Sequence, residues 1–537
     1  MYKLALDFGT TNCTLSYVDS YRKVLECYRM RSADGSPYIP SFVRYNKDDN
    51  SIEIGRPAKK CQKDDDYNVY SAFKMLLSET SKERLESFGY TDRLPYECAK
   101  AYISQLLNYY VSEKNLKRGL ENIVITVPEI WIKEHNHANH DKLLQICKEL
   151  NLPLKKFVSE PVAATAYFVY NNYQQTKKWF TGHVLVCDYG GGTLDLSLCH
   201  VKRENITVLE CTGKGQDQET LGKAGVAFDE YIISKVYERE YGKQISRTNP
   251  LFSEFVNSFE EQKIDEKKGV DHSLEELLYN DNNKKVFKIK DMTFYAADFF
   301  NAFERVNHSV MKKSLEEMET YFKIHSIDYQ NPKNNNFKIV LAGGFSSFYM
   351  VRHTLKVFFE YHPEIDLRFS SVFNLEDTAL AISKGAALIA NQLISVDATC
   401  PVSVGIRLNT YNTEFVEEID IPVLQKGVKI LAYEKPVFID DDIIIEIDPT
   451  MRETQVVIFI GDHGNRKYIK LTQHIDQLFP NAHVQDNKWR VGFSVTENFC
   501  FNLHAVDKDG TKKETPLHDV LKKVSGLFLD NNEKLHC

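Results

Sequence analysis

Asp7 ends the apolar run "LAL" and is followed by an aromatic, a glycine, two threonines and an asparagine, "DFGTTN". The same order recurs at Asp188. There "VLVCDYGGGTLDLS" sets an aspartate, an aromatic, three glycines and a threonine ahead of an alternating stretch. Small turn residues let backbone N–H groups approach an anion closely, which is how phosphates are cradled. A carboxylate at the same place repels a phosphate unless a divalent cation stands between them, held through water. Two such turns facing each other would grip a polyphosphate from both sides. One D-x-G turn alone reads as an ordinary hairpin with a capping aspartate. Two copies in register weaken that reading.

Other segments carry groups that phosphoryl chemistry uses. "NVYSAFKMLLSE" holds Lys74 inside an apolar run. It fits either a lysine whose stem is buried and whose head reaches water or a cation beside a transferring phosphoryl group. "FVSEPVAATAYFVY" sets Glu160 before Pro161 at a helix start, where a carboxylate is stabilised by the dipole or can face a cleft as a metal or water ligand. "KIVLAGGFSSFYMVRHTLKVFFEY" predicts a strand, a Gly343-Gly344 turn and an amphipathic helix, a corner that brings backbone close to a ligand. "HNHANH" spaces its histidines i, i+2, i+5, whereas a metal-binding helix face uses i, i+4; a solvated polar helix is expected.

The elements that must position these groups follow from pattern. Leu4–Leu6 and Val184–Val186 are strands by length and residue type, each turning back into an alternating strand. The repeat is too long for a solenoid unit and predicts two related lobes that open with the same hairpin. The 537 residues suggest about three or four domains. With 67 basic and 75 acidic residues, the net charge of −8 gives no support for general nucleic-acid binding. The 11 cysteines contain no C-x-x-C pair, which argues for a reducing, cytoplasmic setting without disulfides or structural zinc. No signal-peptide pattern and no run of about 18 apolar residues occur, so neither export nor a membrane partner is expected.

"LALDFGTTN", "VSEPVAATAY", "VCDYGGGTLDLS", "IVLAGGFSS" and "ALAISKGAALIA" resemble, in order, the phosphate, connecting and adenosine motifs of actin-like ATPases. Within that superfold the likeness is closest to the heat-shock protein 70 chaperones, the DnaK-like family. "ITVPEIWIKEHNHANHDKLLQICKELNL", "AGVAFDEYI" and "FEEQKIDEKK" also resemble that family, and the resemblance covers residues 1–395 almost continuously. It implies an α/β two-lobed actin-like ATPase domain of duplicated ribonuclease-H-like lobes over residues 1–392, a linker at 393–397 and an antiparallel β-sandwich over 398–537.

By this resemblance Asp7 and Asp188 would hold Mg²⁺ through water, with K⁺ a further candidate ion. Gly9, Thr10, Thr11, Asn12, Gly190, Gly191, Gly192 and Thr193 would bind the phosphates of ATP or ADP. Lys74, Glu160 and Asp195, with Asp188, would position the attacking water and stabilise charge, while Glu260, Lys263, Gly343 and Gly344 would line the adenosine pocket. Several residues depart from the family pattern. Asn12 replaces a frequent aromatic, Phe345 and Ser347 replace the serine and arginine after Gly-Gly, and Lys267 replaces a small hydroxyl residue. Pro128 matches the family's relay proline, but Asn136 stands where an arginine is usual. An amide lacks the forked charged contacts of a guanidinium, so coupling between nucleotide and peptide is the property most affected.

After residue 400 the hydrophobic period changes from 3.6 to 2, and "TQVVIFIGD", "WRVGFSV" and "NFCFNLHAV" read as strands of an antiparallel sandwich. One short helix is expected at 518–529, without the family's helical lid. A cleft without a lid releases peptide quickly, because closure mainly slows dissociation. The resemblance therefore implies a monomeric, ATP-hydrolysing chaperone-like protein that binds unfolded or extended peptide segments, with a J-domain co-chaperone and a nucleotide exchange factor as candidate partners. The alternative is a nucleotide-gated adaptor or co-chaperone with little or no hydrolysis. A sugar-kinase reading of the same superfold gives the sandwich no role.

Overall fold

The computed structural model describes the chain apart from residues 1–2, 20–21, 23, 32–34, 62–63, 118, 133–136, 204, 215–223, 248, 370–377, 397–399, 401–402, 412–415, 434, 441–444, 447–452, 462–465, 475–478, 480–487, 497–499 and 518–537. The expectations for Asn136, Asp397 and the 518–529 helix lie outside the described residues. Two compact units result: Met1–Glu129 with Lys142–Val396, and Ile130–Asp141 with Asp397–Cys537.

In the larger unit, the two aspartate-ended runs become strands of separate sheets with the same pattern of partners. Lys3–Asp7 pairs antiparallel with Asn12–Val18 and parallel with Asn122–Val127. Thr181–Tyr189 pairs antiparallel with Leu194–Lys202 and parallel with Phe337–Ala342. A third antiparallel strand extends each hairpin, Leu25–Cys27 in the first sheet and Asn205–Lys214 in the second. Leu154–Ser159 lies beyond Asn122–Val127 in the first sheet. Lys3–Asp7 is buried from its second residue and Thr181–Tyr189 from its fourth, and burial on both faces is why these parts read as near-continuous apolar runs.

A pair of helices ties the sheets into one core. Leu154–Ser159 runs directly into the helix Glu160–Thr176, with Pro161 in its first turn, and this helix packs on the second sheet. The helix Ala381–Ala390 packs on Lys3–Asp7, Asn12–Val18 and Asn122–Val127 of the first sheet. The two helices cross at Gly385, where a methyl group would stand 1.7 Å from the Ala163 carbonyl oxygen. The alanine-rich sequences "PVAATA" and "GAALIA" thereby have a physical reason: only small residues allow backbones this close. Ala5 and Val124 from one sheet and Val184, Val186 and Val340 from the other meet these helices in a single buried cluster. Ser16 Oγ donates to Ser383 Oγ at 2.9 Å, fixing helix to strand.

Beyond Ala390 the chain joins the edge of the second sheet. Val396 forms a parallel bridge with Ile206, Ile394 is buried, and Ser395 Oγ donates to Asn205 Oδ1 at 2.7 Å.

The smaller unit carries antiparallel strands, as its period-two patterning predicts. One sheet runs Val416–Leu424, Val404–Tyr411, Glu453–Ile460, Lys467–His474. The other runs Val437–Phe438, Lys488–Val495, Phe501–Asp507, Lys512–Pro516, with Ile445–Glu446 also on Lys488–Val495. Trp489, Val491, Phe493 and Val495 are buried along the central strand of the second sheet. Arg407, Arg466 and Tyr468 all donate to Asp420 on the first. Hydrogen bonding by Arg407, the largest influence, holds that carboxyl well below its ordinary range. Among the described residues no helix is long and apolar enough to cross a membrane, and the cysteines are free thiols.

The helix crossing yields a direct test. Gly385→Ala forces the two backbones apart, and overpacking of this kind costs about 1–3 kcal/mol. Chemical denaturation should show a lower midpoint with an unchanged slope; an unchanged midpoint would contradict the close approach.

Candidate functional site

Asp7 and Asp188 stand at the carboxyl ends of corresponding strands, the end where open α/β sheets bind ligands. The turns after them are shaped by close contacts. A methyl on Gly9 would lie 2.0 Å from the Asn12 carbonyl oxygen, and Ser41 Oγ donates to the Gly9 carbonyl at 2.8 Å. The Gly190 N–H donates to the Thr193 carbonyl at 3.1 Å, closing the second turn. These turns meet. A methyl on Gly191 would lie 1.9 Å from Thr11 Oγ1, and one on Gly192 would lie 2.8 Å from Thr10 Oγ1. Gly343, at φ +77°, brings in a third turn whose added methyl would stand 2.5 Å from Asp188 Oδ1. Only glycine accepts that dihedral and that approach together.

Lys74, Glu160 and Asp195 gather around the two aspartates. Lys74 Nζ donates to Glu160 Oε1 at 2.7 Å, and both side chains are nearly fully buried. Glu160 opens its helix, so the positive end of the dipole faces its carboxylate. Asp195 lies directly across the hairpin from Asp188. Four carboxylates thus share one ammonium in a region closed to water. Burial, then the Glu160 charge, pushes Asp7 up to about 7. The same two causes, in the same order, push Asp195 up to about 7. Asp188 is raised well above its ordinary range by burial, then by Glu160, Asp195 and Asp7. Burial alone would depress the Lys74 ammonium, but the Glu160 and Asp7 charges outweigh it and raise its pKa.

Such a cluster is completed by a cation with anionic or neutral ligands of its own. The residues fit Mg²⁺ with a polyphosphate. Thr11 Oγ1 and Asp195 Oδ2 are buried polar atoms with no hydrogen-bond partner among the described residues, and Gly190 has open space where a side chain would stand. Among the described residues no three carboxylate, histidine or cysteine groups stand together as a direct metal-ligand set.

The groups expected at the adenosine end are differently engaged. Glu260 accepts from Lys59 Nζ at 2.7 Å, and Lys263 pairs with Asp229. Gly344 follows Gly343 in the turn, and Ser347 Oγ donates to its carbonyl at 2.9 Å. Within the histidine stretch, His140 departs from the expected solvated face. His140 is fully buried, because it shares a helix face with Leu143 and Cys147, both buried.

Several positioning residues escaped sequence reasoning. Thr126 Oγ1 donates to Asp7 Oδ1 at 3.0 Å from the register position beside it. A lone threonine near the end of the apolar strand "NIVITV" was the available signal. Lys59 and Asp229 carried none, since each is identified only by a partner far away in sequence.

The raised carboxyls set a pH dependence. Their folded-state values lie above the ordinary 3.8, so the folded chain holds protons that the unfolded chain releases. That stabilisation is complete below 3.8 and is lost as the pH rises through about 7. Without nucleotide or metal, Asp195→Asn should raise the melting temperature at pH 8 by about 2–4 °C and change it little at pH 4. An equal shift at both values would contradict the charge clustering.

A family model described as Hsp70 protein matches residues 3–414. The chaperone protein DnaK of Thermotoga petrophila is 23% identical over 475 residues, covering 86% of this chain and 70% of that protein. The DnaK of Mycoplasmoides gallisepticum is 28% identical over 212 residues, 39% of this chain and 32% of its own length. That of Ureaplasma urealyticum is 25% identical over 265 residues, covering 49% and 40%. The duplicated hairpins, the buried Lys74–Glu160 pair and the turn at Gly343 thus lie within the span of the family match, and the chain belongs to the Hsp70 family.

Proposed function

We propose that this protein binds ATP with Mg²⁺, hydrolyses it slowly, and binds extended peptide segments through its antiparallel-strand unit. The observation that carries the reading is the meeting of the two glycine–threonine turns over four carboxylates and one buried ammonium. Thr10, Thr11 and the Gly190–Thr193 turn would enclose the phosphates from both sides. Asp7 and Asp188 would hold the ion through water, and Thr126 keeps Asp7 pointed inward. The ion supplies charge neutralisation at the phosphoryl group.

Lys74 is held by Glu160 within reach of the cleft, so its charge is fixed in place before any substrate arrives. Asp195, buried directly across the hairpin from Asp188 and with Oδ2 unpartnered among the described residues, is placed to orient an attacking water. The peptide-binding part rests on the family membership together with the edge strands Val416–Leu424 and Lys467–His474, whose outer main-chain groups can accept an added strand. J-domain and exchange-factor partners belong to the same proposal.

Steady-state turnover of Mg·ATP tests it. Lys74→Met should lower kcat about a hundredfold with little change in KM, as removal of a fixed charge-stabilising donor does. Saturating Mg·ATP should still raise the melting temperature of that variant. Equal turnover by wild type and variant would remove hydrolysis from this site.

A further inference from the structure

The helix Ala296–Phe303 runs into Ser309–Ile324 through one π-helical turn, Glu304–His308. A π turn carries an extra residue, and such turns inside α-helices recur at functional sites. This one turns Asn307 into the core beside the second sheet. Asn307 is fully buried, among the apolar and buried Phe303, Val310 and Met311 of the same helical run. An amide in such surroundings is costly unless its hydrogen bonds are made.

Those contacts lead to the second phosphate turn. Asn307 Nδ2 donates to the Tyr189 hydroxyl at 2.8 Å and lies 3.5 Å from the Ala224 carbonyl oxygen. Tyr189 directly follows Asp188 and is fully buried. A methyl on Gly343 would stand 2.8 Å from the Tyr189 carbonyl oxygen, so a shift of Tyr189 would disturb that turn too.

Ala224 is the N-cap of the helix Gly225–Tyr241. The first two N–H groups of this helix, on Gly225 and Val226, donate to the carbonyls of Gly190 and Gly191 at 3.2 and 2.9 Å. In a planar trans peptide the carbonyl and the following N–H point in opposite directions. The N–H groups of Gly191 and Gly192 are therefore aimed away from the helix, as capture of an anion between the turns would require. One buried amide thus ties together the residue that enters the turn and the helix start that fixes the turn's carbonyls.

We propose that Asn307 is a positioning residue for the Gly190–Thr193 turn, and that its hydrogen bond to Tyr189 sets nucleotide affinity from outside the cleft. The proposal rests on the nucleotide-binding reading above.

Calorimetric titration of the full chain with Mg²⁺ and a non-hydrolysable ATP analogue tests this, with melting temperatures measured alongside. Tyr189→Phe keeps the ring and deletes the hydroxyl, and Asn307→Leu deletes the amide. Each should weaken binding about tenfold, as loss of an outer-shell partner does. In the double variant neither member of the pair is left unpartnered, so its melting temperature should return toward that of the wild type. Its binding should stay as weak as that of either single variant. A purely structural role would make binding follow stability. Binding unchanged in both single variants, or restored together with stability in the double variant, overturns the proposal and leaves the nucleotide-binding reading standing. A wild-type chain that does not bind the analogue overturns both.

Discussion

Four carboxylates and one ammonium enclosed together cannot all be charged without help. Asp7, Glu160, Asp188 and Asp195 surround Lys74, which is paired with Glu160. Desolvation makes each charge costly, and the mutual repulsion of the acids adds to it. The ligand-free protein meets this by holding protons on carboxyls that would ordinarily have lost them. On the proposed reading, a cation delivered with a polyphosphate would meet it by neutralisation. The strain of the site and the proposed affinity for such a ligand would therefore have one origin, and much of the surrounding structure serves to keep these groups together.

Keeping them together requires two sheets to end at one place. The Glu160–Thr176 and Ala381–Ala390 helices do this by crossing at Gly385, nearly backbone to backbone. Each helix lies on one sheet, and a common core of small and branched residues joins all four layers. Because Glu160 is the first residue of one of these helices, any rotation about the crossing also moves the carboxylate that holds Lys74. Packing at the crossing and charge at the cleft are thus linked through a single side chain.

Much of this was legible in the sequence because it is local. A strand, an aspartate and a small-residue turn occupy adjacent positions, so Asp7–Thr11 and Asp188–Thr193 could be read directly, and the duplication matched in the strand partners of both hairpins. Glu160 was legible as a helix-opening carboxylate, whereas the burial of Lys74 was not, because its partner is distant in sequence. The same reason hid Lys59–Glu260 and Lys263–Asp229. His140 was misjudged because polar neighbours masked its place on an apolar helix face. In the smaller unit the period-two signal of "TQVVIFIGD", "WRVGFSV" and "NFCFNLHAV" matches the antiparallel strands Glu453–Ile460, Lys488–Val495 and Phe501–Asp507.

The central claim is that the two turns enclose a polyphosphate whose ion would replace the protons on the aspartates. A crystal structure with Mg²⁺ and a non-hydrolysable ATP analogue tests it most directly. The account predicts phosphate density between Thr10–Thr11 and Gly190–Gly192, with an ion bridged through water to Asp7 and Asp188. Nucleotide bound elsewhere, or turns still touching at Thr11 and Gly191 with no density between them, would contradict it.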